Sequence, residues 1–81
     1  MATHEPKYQP LSRHLSAAPR PVTMTFEEVG RLVGGLPARA YRHPSWWAND
    51  ADGRHVQAKA WLGAGRRVEE VDLGRRVVRF G

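Results

Sequence analysis

The pattern of apolar and polar positions is sharpest over residues 25–35. Phe26, Val29, Leu32 and Val33 recur at helical spacing and form one apolar stripe. Thr25 stands just before them and Glu28 three residues later. That is a capping box, in which each side chain accepts a backbone N–H that the first helical turn leaves free. Met24 lies where a hydrophobic staple packs on Val29. Gly34-Gly35 closes the stripe, because glycine adopts the left-handed conformation at little cost. The pattern predicts a helix over 26–33.

Upstream, Leu11 and Leu15 make an i,i+4 apolar pair within Tyr8–Leu15, and Pro10 suits a first helical turn. A short helix is predicted there, ended by Ala17-Ala18-Pro19-Arg20-Pro21, since two prolines cannot continue the hydrogen-bond ladder. Val22-Thr23-Met24 reads as a short extended piece. Residues 1–6 are polar, contain Pro6 and are expected to be a disordered tail, with residues 7–81 forming the single domain.

Downstream, Leu36 is expected to pack back onto the stripe. Pro37 opens a further helix to about Arg42, and Pro44 breaks it. Ser45 is placed to cap another turn carrying Trp46 and Trp47. Asn49-Asp50-Ala51-Asp52-Gly53 is a polar turn. The segment His55–Leu62 has two readings. As a helix it puts Ala58, Trp61 and Leu62 on one face. As a strand it alternates Val56, Ala58 and Ala60. Helix is the favoured reading, ended by Gly63-Ala64-Gly65.

Arg66 to Phe80 carries the strand formers Val68, Val71, Leu73, Val77, Val78 and Phe80, with Leu73-Gly74 near a turn. It reads as a β-hairpin, with Glu69, Glu70 and Asp72 available for cross-strand pairs with its arginines. The expected fold is α+β: three to four short helices followed by a C-terminal β-hairpin. That order matches a small winged helix-turn-helix domain.

Composition limits how such a domain is held. Eighty-one residues make one domain, and a chain this short buries about 60% of its unfolded surface. With no cysteine, neither disulfides nor thiolate-bound zinc contributes. Three Trp, two Tyr and two Phe are the largest apolar pieces, and each is a candidate for the core. No apolar run reaches the length of a membrane span and the N-terminus carries no signal-like segment. A cytoplasmic, nucleoid location is expected.

Residue types for catalysis are present without the arrangement that catalysis needs. His4, His14, His43 and His55 show no i,i+4 pair with an intervening glutamate. The acids near Asn49 lack the spacing and terminal glutamate of a calcium loop. Gly63-x-Gly65 precedes a strand, the wrong order for a dinucleotide loop. Ser12, Ser16 and Ser45 have no evident base. The expectation is a protein that is not an enzyme, with no cofactor, no metal and no small-molecule substrate.

Charge changes the picture more. Thirteen cations against eight acids give a net charge of +5, and all the cations but Lys7 and Lys59 are arginine. Arginine's planar fork suits phosphate and guanine edges. Part of the excess is also what a GC-rich genome's codon bias produces. The first functional reading is a non-catalytic protein binding double-stranded DNA, a regulator or nucleoid-associated type. In it Arg39, Arg42, Arg54, Lys59 and the hairpin's Arg66, Arg67, Arg75 and Arg76 meet phosphates. Asn49 and Gln57 are types that pair with adenine. His43, Trp47 and His55 complete the candidate surface. The alternative is a protein-interaction module or homodimeric adaptor with an exposed Trp46–Trp47 patch. A third reading stacks Trp46, Trp47 or Tyr41 on single-stranded bases.

Several motifs together carry a resemblance: Lys7-Tyr8-x-Pro10-Leu11, Met24-Thr25-Phe26-x-x-Val29, Leu36-Pro37, Trp46-Trp47-x-Asn49, then Gln57, Trp61 and Gly65. Over residues 7–80 the chain resembles a small, largely uncharacterised domain of bacteria and archaea. That domain occurs alone or attached to nuclease-like domains, which implies DNA handling. Arg39 departs from the pattern, which has serine there, and implies a stronger phosphate grip at that position.

Overall fold

The computed structural model describes residues 6–50 and 56–81. In chain order the elements are α1 (Gln9–Ala17), β1 (Val22–Thr25), α2 (Phe26–Val33), α3 (Ala38–Arg42), a 3-10 turn (Pro44–Trp47), α4 (Val56–Gly63), β2 (Val68–Asp72) and β3 (Val77–Phe80). The fold is α+β. Among the described residues one sheet forms, antiparallel in the order β1-β3-β2, so β1 pairs with β3 near the end of the chain. The hairpin expected from the sequence is present, and the short extended piece proves to be its third strand. Of the expected disordered tail, residues 1–5 lie outside the described residues, while the Pro6 carbonyl accepts the Gln9 N–H.

The helices start and stop for local reasons. The Thr25 hydroxyl accepts the Glu28 N–H at 3.0 Å and the Glu28 carboxylate accepts the Thr25 N–H at 2.8 Å. Both halves of the capping box are made, which fixes the start of α2. Gly34 ends that helix with φ +78, a conformation that glycine tolerates best. Pro10 occupies the first turn of α1, where its missing N–H costs nothing. For residues 56–63 the helical reading is correct: Gln57, Ala58, Ala60 and Trp61 form a buried stripe, and the alanines let α4 lie close to α1.

The core lies between the helices and the sheet. Leu11 and Leu15 of α1, Phe26 and Val29 of α2, Trp61 of α4, and Val78 and Phe80 of β3 are all at most 1% exposed. Trp47 is sandwiched at the centre. Phe26 stacks on one side at 4.8 Å between ring centroids, and Trp61 on the other at 6.0 Å. Phe80 continues the row from Trp61 at 5.7 Å. The row links α2, the 3-10 turn, α4 and β3 through rings that each bury a large apolar area.

On the outer face of the hairpin, Arg79 pairs with Glu69 at 3.2 Å and with Glu70 at 3.7 Å. These are the cross-strand pairs expected from the sequence. They are solvent-exposed and contribute little stability each.

Thr25→Ala removes half of the capping box and is expected to lower stability by about 1 kcal/mol, read by chemical denaturation. The hydrogen bonds from Thr25 hold the Glu28 carboxyl below its ordinary value of 4.5. A lowered folded-state pKa gives stability that is present above the ordinary value and is lost as pH falls through the lowered one. Glu28→Gln is therefore expected to flatten the acid limb of stability against pH.

Candidate nucleic-acid interface

The turn Gly34-Gly35-Leu36-Pro37 joins α2 to α3. Four residues containing glycine is the connection length of a helix-turn-helix pair. Ala40 is fully buried, and its carbonyl accepts the Trp47 indole N–H at 2.9 Å. That bond fixes which face of α3 points inward. Arg39 and Arg42, one turn apart, are left on the outside with His43 beside them, and all three are exposed.

The second part is the turn Leu73–Arg76 between β2 and β3. The Asp72 carboxylate accepts the Arg75 N–H at 3.0 Å and braces the turn. Arg76 has φ +58, unusual for a residue with a side chain. Its carbonyl accepts the Phe26 N–H at 2.8 Å, tying the turn to the start of α2. Its guanidinium lies over the Tyr41 ring, 5.3 Å from the centroid, and Tyr41 meets Phe26 edge-on at 5.5 Å. Thr25, Phe26, Glu27, Tyr41, Arg75 and Arg76 line an open cleft of about 300 Å³. The hairpin turn and α3 therefore sit side by side.

The other cations are mostly engaged. Arg31 pairs with Glu27 at 3.2 Å, and Arg79 with Glu69 and Glu70. Lys7 donates to the Val33 carbonyl and Arg20 to that of Gly65. Among the described residues, no carboxylate side chain forms an ion pair with Arg39, Arg42, Arg75 or Arg76. Among the described residues, Arg39, Arg42, Arg75 and Arg76 place charge without a carboxylate partner on α3 and the adjacent hairpin turn.

Four residues expected at the surface serve the fold instead. Trp47 is 1% exposed and cannot stack on a base. Trp46, at 6%, is buried with it, against Tyr8 on its outer side. Both adjacent indoles reach the core because the 3-10 turn is wedged between elements and covered on two sides. Gln57 is buried and donates to the Trp46 carbonyl at 3.0 Å. The Asn49 carboxamide accepts from Val68 N–H and Trp61 Nε1–H and donates to the Val68 carbonyl. It acts as one rung of strand pairing at the start of β2, with its oxygen and its nitrogen both engaged by the fold.

Arg66 is the largest departure. It is 2% exposed and donates to four main-chain carbonyls, those of Leu15, Ala18, Pro19 and Gly81. Burial, with the nearby Arg20 charge, lowers its pKa from the ordinary arginine value, and an arginine so lowered still keeps its proton. Arg67 is exposed but precedes β2, at the opposite end of the hairpin from Arg75 and Arg76. Lys59 is exposed on α4. Arg54 and His55 lie outside the described residues. Among the described residues, no three His, Asp or Glu side chains gather as metal ligands, and no helix is long and apolar enough to cross a membrane.

A family model described as a domain of unknown function, DUF7662, matches residues 8–81. The chain belongs to the DUF7662 family. No curated protein and no solved structure matches it. The match takes in every element of this DUF7662 domain from α1 to β3.

Tyr41 belongs to the DUF7662 surface, although the sequence suggested it as a core residue or as a platform for single strands. Its position beside Arg42 was legible; its contact with the hairpin turn, distant in sequence, was not. Arg66→Ala is expected to lower stability by about 3 kcal/mol, since one buried and three part-buried carbonyls lose a charged donor. Trp47→Ala is expected to cost about 3–5 kcal/mol. Thermal or denaturant unfolding checks both. A folded Arg66→Ala variant of unchanged Tm would return Arg66 to the surface.

Proposed function

We infer that this DUF7662 domain is a non-catalytic binder of double-stranded DNA, acting at the nucleoid as a regulator or DNA-coating protein. The observation that carries the reading is that α3, which exposes Arg39 and Arg42, lies beside the hairpin turn through the Tyr41–Arg76 contact, with Arg75 next to it, and none of the four arginines is neutralised by a carboxylate side chain among the described residues. Fixed arginines on a rigid frame suit a polyanion of regular spacing. The layout supports the duplex in particular. A short helix after a glycine-containing turn presents side chains to a groove, and a neighbouring hairpin reaches the backbone beside it.

Burial of Trp46 and Trp47 removes the apolar patch on which the protein-interaction reading depended. It also removes the indoles on which single-stranded bases would stack. Arg39, Arg42, Arg75 and Arg76 remain as the side chains facing phosphates, with His43 beside them on α3 facing a groove.

The test is a titration of random-sequence duplex at several salt concentrations. Log affinity is expected to fall with log salt with a slope of about −3, corresponding to three or four phosphate contacts. Arg39→Ala and Arg75→Ala are each expected to reduce that slope by about one while leaving Tm unchanged. A slope near zero, or equal binding by the folded double variant, would overturn the reading.

A further inference from the structure

Arg76 stands in a backbone conformation that favours glycine, with φ +58, at the last position of a hairpin turn where glycine or asparagine is the usual choice. A strained position kept by a residue with a long side chain points to a use for that side chain. The link from the turn to α2 does not explain it, because that link is the main-chain bond from Phe26 N–H to the Arg76 carbonyl. Any residue at position 76 could make it. The side chain adds a guanidinium laid over the Tyr41 ring at 5.3 Å, at the wall of the cleft that Arg75 also lines. Among the described residues the Arg76 guanidinium donates no hydrogen bond to a protein acceptor. Its donors are oriented and vacant.

We propose that Arg76, oriented by Tyr41, forms with Arg75 a phosphodiester-binding site at the base of the hairpin turn, taking the backbone of the duplex whose groove faces α3. The site rests on the DNA-binding reading above. A guanidinium stacked on a ring keeps its charge and its hydrogen-bonding edge. It has already given up side-chain freedom that a mobile arginine would lose on binding. Its planar fork matches two oxygens of one phosphate. Among the described residues lining the cleft, Glu27 is the one carboxylate, and Arg31 pairs with it at 3.2 Å; the Asp72 carboxylate beneath the turn accepts the Arg75 N–H. Tyr41 is a positioning residue here, and its ring face, not its hydroxyl, does the positioning.

Arg76→Gly separates this role from a structural one. It relieves the backbone conformation and keeps the bond to Phe26, so Tm is expected to hold or rise. Duplex affinity at low salt is expected to fall about tenfold or more, with the salt slope reduced by about one. Tyr41→Phe retains the ring face and is expected to bind as the unaltered protein does. Tyr41→Leu is expected to show the Arg76→Gly defect in affinity. If Arg76→Gly binds duplex with unaltered affinity and slope while Arg39→Ala is impaired, the phosphodiester site is wrong and the DNA reading stands. If the unaltered protein shows no salt-dependent duplex binding, the DNA reading fails and the site fails with it. Competition by single-stranded DNA or by an acidic peptide as strong as that by duplex would also overturn the site.

Discussion

The Arg66 guanidinium holds together parts of the chain that lie far apart in sequence. It gathers three carbonyls from the end of α1 and the segment after it, and one from Gly81 just past β3. The end of a helix exposes carbonyls that have no intrahelical partner and carry partial negative charge. A cation placed there satisfies them and is stabilised by them. One side chain therefore fastens the helical layer to the sheet's final strand, and this polar contact is made at the edge of a core built otherwise from rings and aliphatic chains. Truncating it would take a charged donor from all four carbonyls and leave the strand end held by the Gly81 N–H to Arg67 carbonyl bond.

The aromatic row does the corresponding work inside the molecule. Phe26, Trp47, Trp61 and Phe80 come from four elements and lie ring against ring. Each indole N–H also has a partner: Trp47 donates to Ala40 and Trp61 to Asn49. Through the first of these bonds the core sets the rotation of α3, and through the second it sets the start of β2. The exposed arginines of α3 are thus positioned by residues buried in the core. The hairpin turn is docked on α2 by the Arg76 carbonyl and on α3 by Tyr41.

Local chemistry was readable residue by residue. Thr25 and Glu28 bracket a helix start whatever else the chain does, and Gly34 stops it, because these effects act within one turn of backbone. Strand formers at 68–73 and 77–80 likewise announced a hairpin, and β1 was visible as a short extended piece. Its pairing with β3 was not visible, since the partners are separated by more than fifty positions and no local pattern links them. The aromatic residues were identified as the main anchoring surfaces, but whether they faced inward was left open by the spacing alone. Residue type places Asn49, Gln57 and Arg66 equally well against a base or phosphate and, for Asn49 and Gln57, in a turn cap or a buried backbone contact. Each finds main-chain partners that only the assembled fold supplies.

The sequence by itself determined the succession of elements, the α+β class, the excess of arginine and the ends of α2, all consequences of short-range propensity and composition. The tertiary structure alone decided which arginines are free. Of the hairpin's cations, Arg66 is enclosed by carbonyls, Arg79 is matched by acids, and Arg75 and Arg76 are brought beside α3. The difference among them is not in their identity, which is the same, but in the partners that folding places within hydrogen-bonding distance. Such partners come from residues far away in the chain, so no reading of neighbours could have assigned them.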